Sequence, residues 1–335
     1  MYYNTMLIYF IACIILWSTA APTEKKIDHT EQLVSDISNL YLSESFSDVD
    51  LSDGLSDVDL VVKGKQLSAH RIILASRSEY FRKSFNGIPK KPGRVVLEIN
   101  EAPLTIFKIF LEYFYTGRMK LSDLKGIDVT ELLRISDLFS FSNLTYSLRE
   151  YLVNNIKLQK KNVIDHTQFL VSDISNLYLS NRFSDVILVV EGEKLPVHRI
   201  VLASRSEYFR RAFYGGHKET YQDMMEINEV LVSIFKILLE YIYTGHINFT
   251  GLKVEEVLEL IRISDLFHVL TLNTSLNEYL KKDIEVDNVC SYFNMTRLYQ
   301  CTQQEVESLN FIENNALRVL QSEDFLSLSS VMTLF

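Results

Sequence analysis

The twelve residues from Arg71 to Arg82 recur from Arg199 to Arg210 with one difference, Ile73 against Val201. A segment of this length does not recur by chance, so the repeat sets the architecture before any local propensity is weighed. The repetition extends well beyond it. Ile27-Asp-His-Thr30 returns as Ile164-Asp-His-Thr167, and Leu33–Ser43 returns as Leu170–Ser180, both at an offset of 137. From Ser56 onward the offset is 128, and it holds through Tyr115-Thr-Gly117 and Tyr243-Thr-Gly245. The difference lies in the first copy, where Ser47-Asp-Val-Asp50 is echoed by Ser56-Asp-Val-Asp59. A period this long matches a whole domain and exceeds any solenoid repeat. The chain is a tandem domain duplication.

Composition narrows the function classes. With 47% hydrophobic and 23% charged residues, the chain has the makeup of a packed globular protein. Its net charge is −9, so it lacks the basic excess needed to replace phosphate counterions, and nucleic acid is not an expected partner. The three cysteines, Cys13, Cys290 and Cys301, form no C-x-x-C pair, which gives neither a disulfide framework nor a zinc ribbon and fits a reducing compartment. Met6–Trp17 is an apolar run followed by small residues to Ala21. It has the shape of a secretory signal but no basic residue ahead of it, and it is short for a membrane span. The expected location is therefore cytoplasmic, with export the alternative if residues 1–21 act as a signal.

Hydrophobic spacing then predicts the elements. Leu33, Ile37, Leu40 and Tyr41 fall on one helical stripe within a helix over 27–43, and Leu170, Ile174, Leu177 and Tyr178 repeat it. Phe183–Val190 reads as a buried strand that turns at Glu191-Gly192 into a returning arm at Lys194–Val197, which Pro196 confines to an edge. Ser206 is an expected N-cap of a helix running to Phe213, Met224–Ile227 is a short strand, and Gly245 ends a helix built on Ile234, Leu238 and Tyr241. Val257, Leu258 and Ile261 mark a further helix, and Ser275–Leu280 a last one. Each copy is thus an α+β domain of short strands clad by about five helices. The expected divisions are an N-terminal extension at 1–26, copies at 27–163 and 164–286, and a helical tail at 287–335 in which Leu309, Ile312, Ala316, Val319 and Leu320 recur at helical spacing. No linker separates the copies.

Phe183-Ser-Asp-Val186, His198-Arg199, Ser206-x-Tyr-Phe209 and Tyr243-Thr-Gly245, in that order, resemble the BTB/POZ family, and the first copy matches with Ser56-Asp-Val58, His70-Arg71 and Tyr115-Thr-Gly117. The tail resembles the start of a BACK domain. The resemblance implies a protein-interaction module that dimerises through its first helix. It places Leu33, Ile37, Leu40, Tyr41, Leu170, Ile174, Leu177 and Tyr178 at the interface, where each buried side chain would contribute about 1.5–3 kcal/mol before association costs. It also makes Asp57, His70, Asp185 and His198 elements of the fold. The pairing is left open between two copies of one chain, at high effective concentration, and copies on different chains.

Many BTB–BACK proteins recruit substrates to cullin-type ubiquitin ligases, and the resemblance carries their apolar-x-Glu contact onto His217-Lys218-Glu219. Glu219 is retained. His217 replaces the apolar anchor, an expected weakening of about 1–2 kcal/mol. In the first copy the same count lands on Pro89-Lys90-Lys91, which reverses the charge, so only the second copy is expected to meet a cullin. The partners implied are therefore the protein itself, a cullin and an unidentified substrate protein. A self-associating scaffold without ligase function is the competing reading. Catalysis by His70 or His198 beside Asp57 or Asp185 lacks a nucleophile set, and no phosphate-binding glycine pattern occurs, so neither enzyme activity nor a cofactor is expected. Asp48, Asp50 and Asp53 resemble a calcium loop, but glycine falls seventh instead of sixth, so no metal site is expected.

Overall fold

The computed structural model describes residues 26–45, 55–86, 95–155, 163–215, 222–248, 251–282, 284–299 and 301–328. The signal-like run and the aspartate-rich loop of the first copy lie outside them. The chain divides into two compact units, residues 28–246 and residues 247–335, the latter with Ile27.

In the first copy the elements are β1 (Lys26–Asp28), α1 (Thr30–Ser45), β2 (Val58–Val62), β3 (Lys65–Ala69), α2 (Arg71–Arg77), α3 (Glu79–Ser84), β4 (Val95–Ile99), α4 (Leu104–Thr116), β5 (Arg118–Lys120), α5 (Gly126–Leu138) and α6 (Ser142–Asn155). The second copy repeats them as β6 (Val163–Asp165), α7 (Thr167–Ser175), β7 (Val186–Val190), β8 (Glu193–Val197), α8 (Arg199–Arg205), α9 (Glu207–Tyr214), β9 (Met224–Ile227), α10 (Val232–Thr244), β10 (His246–Asn248), α11 (Val254–Leu266) and α12 (Leu270–Lys282). The tail adds α13 (Val289–Leu298), α14 (Thr302–Asn314), α15 (Ala316–Val319) and α16 (Phe325–Leu328).

Each copy holds a three-stranded sheet, ordered β3-β2-β4 or β8-β7-β9, whose central strand is antiparallel to the hairpin partner and parallel to the third strand. The alternation along β7 buries Val186, Leu188 and Val190, and Pro196 stands on the edge strand β8, where a missing N–H disrupts no ladder. The hairpin turns put Lys63-Gly64 and Glu191-Gly192 at positive φ, the backbone twist that two-residue hairpins require. Ser206 caps α9 by accepting the Phe209 N–H at 3.1 Å, and Ser78 caps α3 in the same way.

Two expected elements differ. The first helix begins at Thr30, not residue 27, because the residues before it form β1. In the second copy α7 stops at Ser175, leaving Leu177 and Tyr178 beyond it, although the sequence from Leu33 to Ser43 that forms α1 is identical to Leu170–Ser180. Identical residues with different helix lengths show context overriding propensity. Seven residues beyond Ser175 the chain is held, where the Arg182 carbonyl meets His198 Nε2 at 2.7 Å.

In the unit of residues 247–335, α14 packs on α13 and α12, and α16 packs on α13. Asp324, buried before α16, accepts the Cys290 and Ser291 N–H groups at 2.6 and 3.2 Å and so satisfies the open start of α13. The predicted tail stripe is only partly used: Val319 is buried, but Leu309 and Leu320 are 43% and 55% exposed. Gln304 donates to Asn277, and the Cys301 thiol meets the Leu258 carbonyl at 3.8 Å. Burial pushes the Cys290 and Cys301 thiols up to about 12 and 11, so both remain protonated and serve as packing groups.

Candidate functional site: the interface between the two copies

Within residues 28–246 the two copies embrace each other. Helix α1 lies between its own α4 and the second copy, packing on α7, α8 and α10. Reciprocally, α7 packs on its own α10 and on α1, α2 and α4 of the first copy. Leu33, Ile37, Leu40, Leu170, Ile174 and Leu177 are all buried at 5% exposure or less. Tyr41 and Tyr178 turn the other way. The Tyr41 ring lies against Tyr115 and its hydroxyl donates to the Lys108 carbonyl, while Tyr178 does the same with Tyr243 and Lys236. A tyrosine next to the stripe satisfies its hydroxyl on its own copy's α4 or α10, so these two are contacts within a copy.

The strands that open each copy are exchanged. β6 pairs antiparallel with β5, with Met119 opposite Ile164, and β1 pairs with β10. The ladder continues into the next residue: His166 N–H donates to the Gly117 carbonyl at 2.8 Å and His29 N–H to the Gly245 carbonyl at 2.7 Å. Both glycines are left-handed, with φ of 68° and 75°, and a β-carbon on either would lie about 3 Å from the opposing main chain at Thr167 or Thr30. Exchanging either glycine for alanine therefore imposes both strain and a collision. Gly117→Ala and Gly245→Ala are each expected to lower the urea unfolding free energy by about 2–3 kcal/mol, whereas Gly64→Ala, with open space around it, should cost only about 1 kcal/mol.

Two buried ion pairs cross the same interface. Arg205 Nε donates to Asp36 Oδ2 at 3.1 Å and Arg77 Nε to Asp173 Oδ2 at 3.2 Å, each arginine side chain being 1% exposed. The Arg205 Nη1 group also donates to the carbonyls of Tyr241 and Ile242, and Arg77 Nη1 to those of Tyr113 and Phe114. Each guanidinium thus ties the end of its own copy's long helix to the other copy's first helix. Burial outweighs the facing arginine and holds both aspartates above the usual carboxylate range. Histidines complete the pseudo-twofold: His29 Nδ1 lies 2.6 Å from Tyr241 Oη, and His166 Nδ1 2.6 Å from Tyr113 Oη. Sequence reading missed these four residues and both arginines, although all lie within the repeated stretches.

The recurrent motif residues hold each copy's helix pair. Asp57 Oδ1 accepts the Arg71 N–H at 2.7 Å and Asp185 Oδ1 the Arg199 N–H at 2.8 Å. The Tyr115 and Tyr243 hydroxyls accept the His70 and His198 N–H groups at 3.0 and 2.9 Å. His217 and Glu219 lie outside the described residues, as do Pro89, Lys90 and Lys91.

The BTB/POZ domain pattern matches residues 46–156 and again 174–284. The chain belongs to the BTB/POZ family. It is 35% identical to BTB/POZ domain-containing protein 9 of Bos taurus over 172 residues, which are 51% of this chain and 28% of that protein. Kelch-like protein 24 of Homo sapiens is 29% identical over 163 residues, 49% of this chain and 27% of that protein. The chain therefore spans under a third of the length of these relatives. The BTB domain of human gigaxonin, 19% identical, covers 40% of this chain and 96% of its own with a TM-score of 0.30. A BTB domain is an interaction module and not an enzyme, and here both copies are present in one α+β chain with a helical C-terminal segment. Among the described residues no helix is long and apolar enough to cross a membrane.

Proposed function

We propose that this BTB protein is a self-paired adaptor, in which the second copy with its tail presents one cullin to one substrate. The observation that supports it is the one-sided tail. Helices α13–α16 are fastened to the second copy's last helices through Leu258 and Asn277. The corresponding residues of the first copy, Thr130 and Arg149, are exposed, and an arginine there would have to be desolvated to accept the same helices. The Kelch-like relatives add weight to the ligase reading. Pairing within the chain leaves a single copy of each arm per particle, and the substrate and the cytoplasmic location are part of this proposal.

Calorimetry of the full chain with a cullin N-terminal domain tests the reading. One site per chain is expected, with Glu219→Lys abolishing the heat and Lys91→Glu leaving it unchanged. A fragment starting at residue 164 is a poor substitute, since it exposes the buried faces of α7 and α8. The scaffold reading is favoured by His217 in the anchor position and by the reversed charge at Lys91. Absence of cullin heat from a well-folded chain would leave that reading in possession.

A further inference from the structure

Among the described residues seventeen large apolar side chains stand exposed, and six of them fall in one short stretch of the tail: Leu298, Val306, Leu309, Leu317, Leu320 and Leu326. Scattered exposed leucines need no explanation, but this density does. Val306 and Leu309 lie one turn apart on α14, and Leu317 and Leu320 one turn apart on α15 and its C-terminal end. The inward faces of these helices are already in use, with Gln304, Ser308 and Val319 buried. The exposed leucines are therefore a second face, one that the described residues leave open.

The same chain carries an apolar segment that the fold does not use. Met6–Trp17 is twelve residues without a charge, and leaving them in water forgoes the burial that drives folding. Its tether ends in the unit that bears the open face: Ile27 groups with residues 247–335, and β1 lies against β10. The nine residues from Ser18 to Lys26 span about 30 Å when extended. A compact unit of this size is about 30 Å across, so the run can reach any part of its surface. Charge selects this occupant over a second copy. Residues 247–335 hold thirteen acidic against six basic side chains, so two such faces repel, whereas residues 1–23 hold no acidic side chain. We propose that Met6–Trp17 docks on the leucine face of its own tail, and is thus a built-in cover and not a secretory signal or membrane anchor. The docking is independent of any cullin contact.

The full chain carries the probes for the test. Trp17 is its one tryptophan, and Cys290 and Cys301 are buried, so alkylation under native conditions reads Cys13. Trp17 is expected to emit to the blue of a free indole. The double variant Leu317→Glu with Leu320→Glu should move that emission to the red and speed Cys13 alkylation at least about tenfold. Both substituted residues are exposed, so the variant keeps its fold, which circular dichroism checks. Leu231→Glu, at a leucine 51% exposed in the other unit, should change neither readout. Three results would overturn the proposal. Emission and labelling unchanged in the double variant would place the run elsewhere. Protection that rises with chain concentration would place it on another chain. A chain isolated from animal cells that begins near Ala21 would show the run removed as a signal.

Discussion

Replacing Arg205 by leucine should cost about 3–5 kcal/mol of unfolding free energy, and Arg77→Leu the same. Each change strands a part-buried carboxylate, Asp36 or Asp173, together with two main-chain carbonyls that close the long helix of that copy. A domain of ordinary stability has about 5–15 kcal/mol in hand, so either variant takes a large share of it. The exposed cross-copy pair between Arg118 and Asp165, 3.0 Å apart, is the internal comparison, and Arg118→Gln should cost under about 1 kcal/mol. Urea denaturation of the three variants reads these differences directly. If Arg205→Leu and Arg118→Gln were equally mild, the buried pairs would not be what fastens the copies. The double variant Arg77→Leu with Arg205→Leu is expected to separate the halves far enough that chains exchange partners and oligomers appear by light scattering.

The sequence made the duplication, the α+β class and most strands legible, because period-two burial along β7 and the positive-φ glycines leave direct marks. It also marked Leu33, Ile37, Leu170 and Ile174 as a stripe. It did not show what that stripe meets. Asp36 and Arg205 are 169 residues apart, and the identical Asp173 and Arg77 supply the reciprocal pair, so the repeat is equally consistent with pairing inside one chain or between two. The sequence left pairing within one chain and between chains open; in the structure the copies pair within the chain, and the strand that opens the second copy lies against β5. Helical spacing places Tyr41 and Tyr178 beside the stripe, and their hydroxyls find carbonyl acceptors on their own copy, which spacing does not show. Nor does sequence separate Asp57 from Asp185. Their neighbours His-Arg and Ser-Asp-Val are the same, and the distinction comes from where one arginine turns: Arg71 Nε donates to Asp57 Oδ2 at 3.0 Å, whereas the Arg199 guanidinium stacks over the Phe213 ring.

That distinction has a consequence for acid stability. Burial lowers the His70 imidazole to about 4 from an ordinary 6.5, so the fold holds it neutral while the unfolded chain protonates it first. Its contribution is complete above pH 6.5 and is lost as pH falls toward 4, about 3 kcal/mol in all. Asp185 has the opposite sign. Its folded value near 6 lies above the ordinary 3.8, so its contribution is greatest below 3.8 and is lost as pH rises through 6, again about 3 kcal/mol. Between pH 4 and 6 the two oppose each other, and the unmodified chain is expected to show a shallow dependence from this pair. His70→Asn should leave the aspartate's trend exposed, with relative stability rising as pH falls. Asp185→Asn should leave the histidine's, with relative stability falling over the same range. Urea midpoints measured at several pH values for the three proteins give the comparison, because every other titrating group is common to them. Parallel curves for the two variants would mean that the two groups titrate alike in folded and unfolded chains, and that their surroundings are wetter than their burial implies.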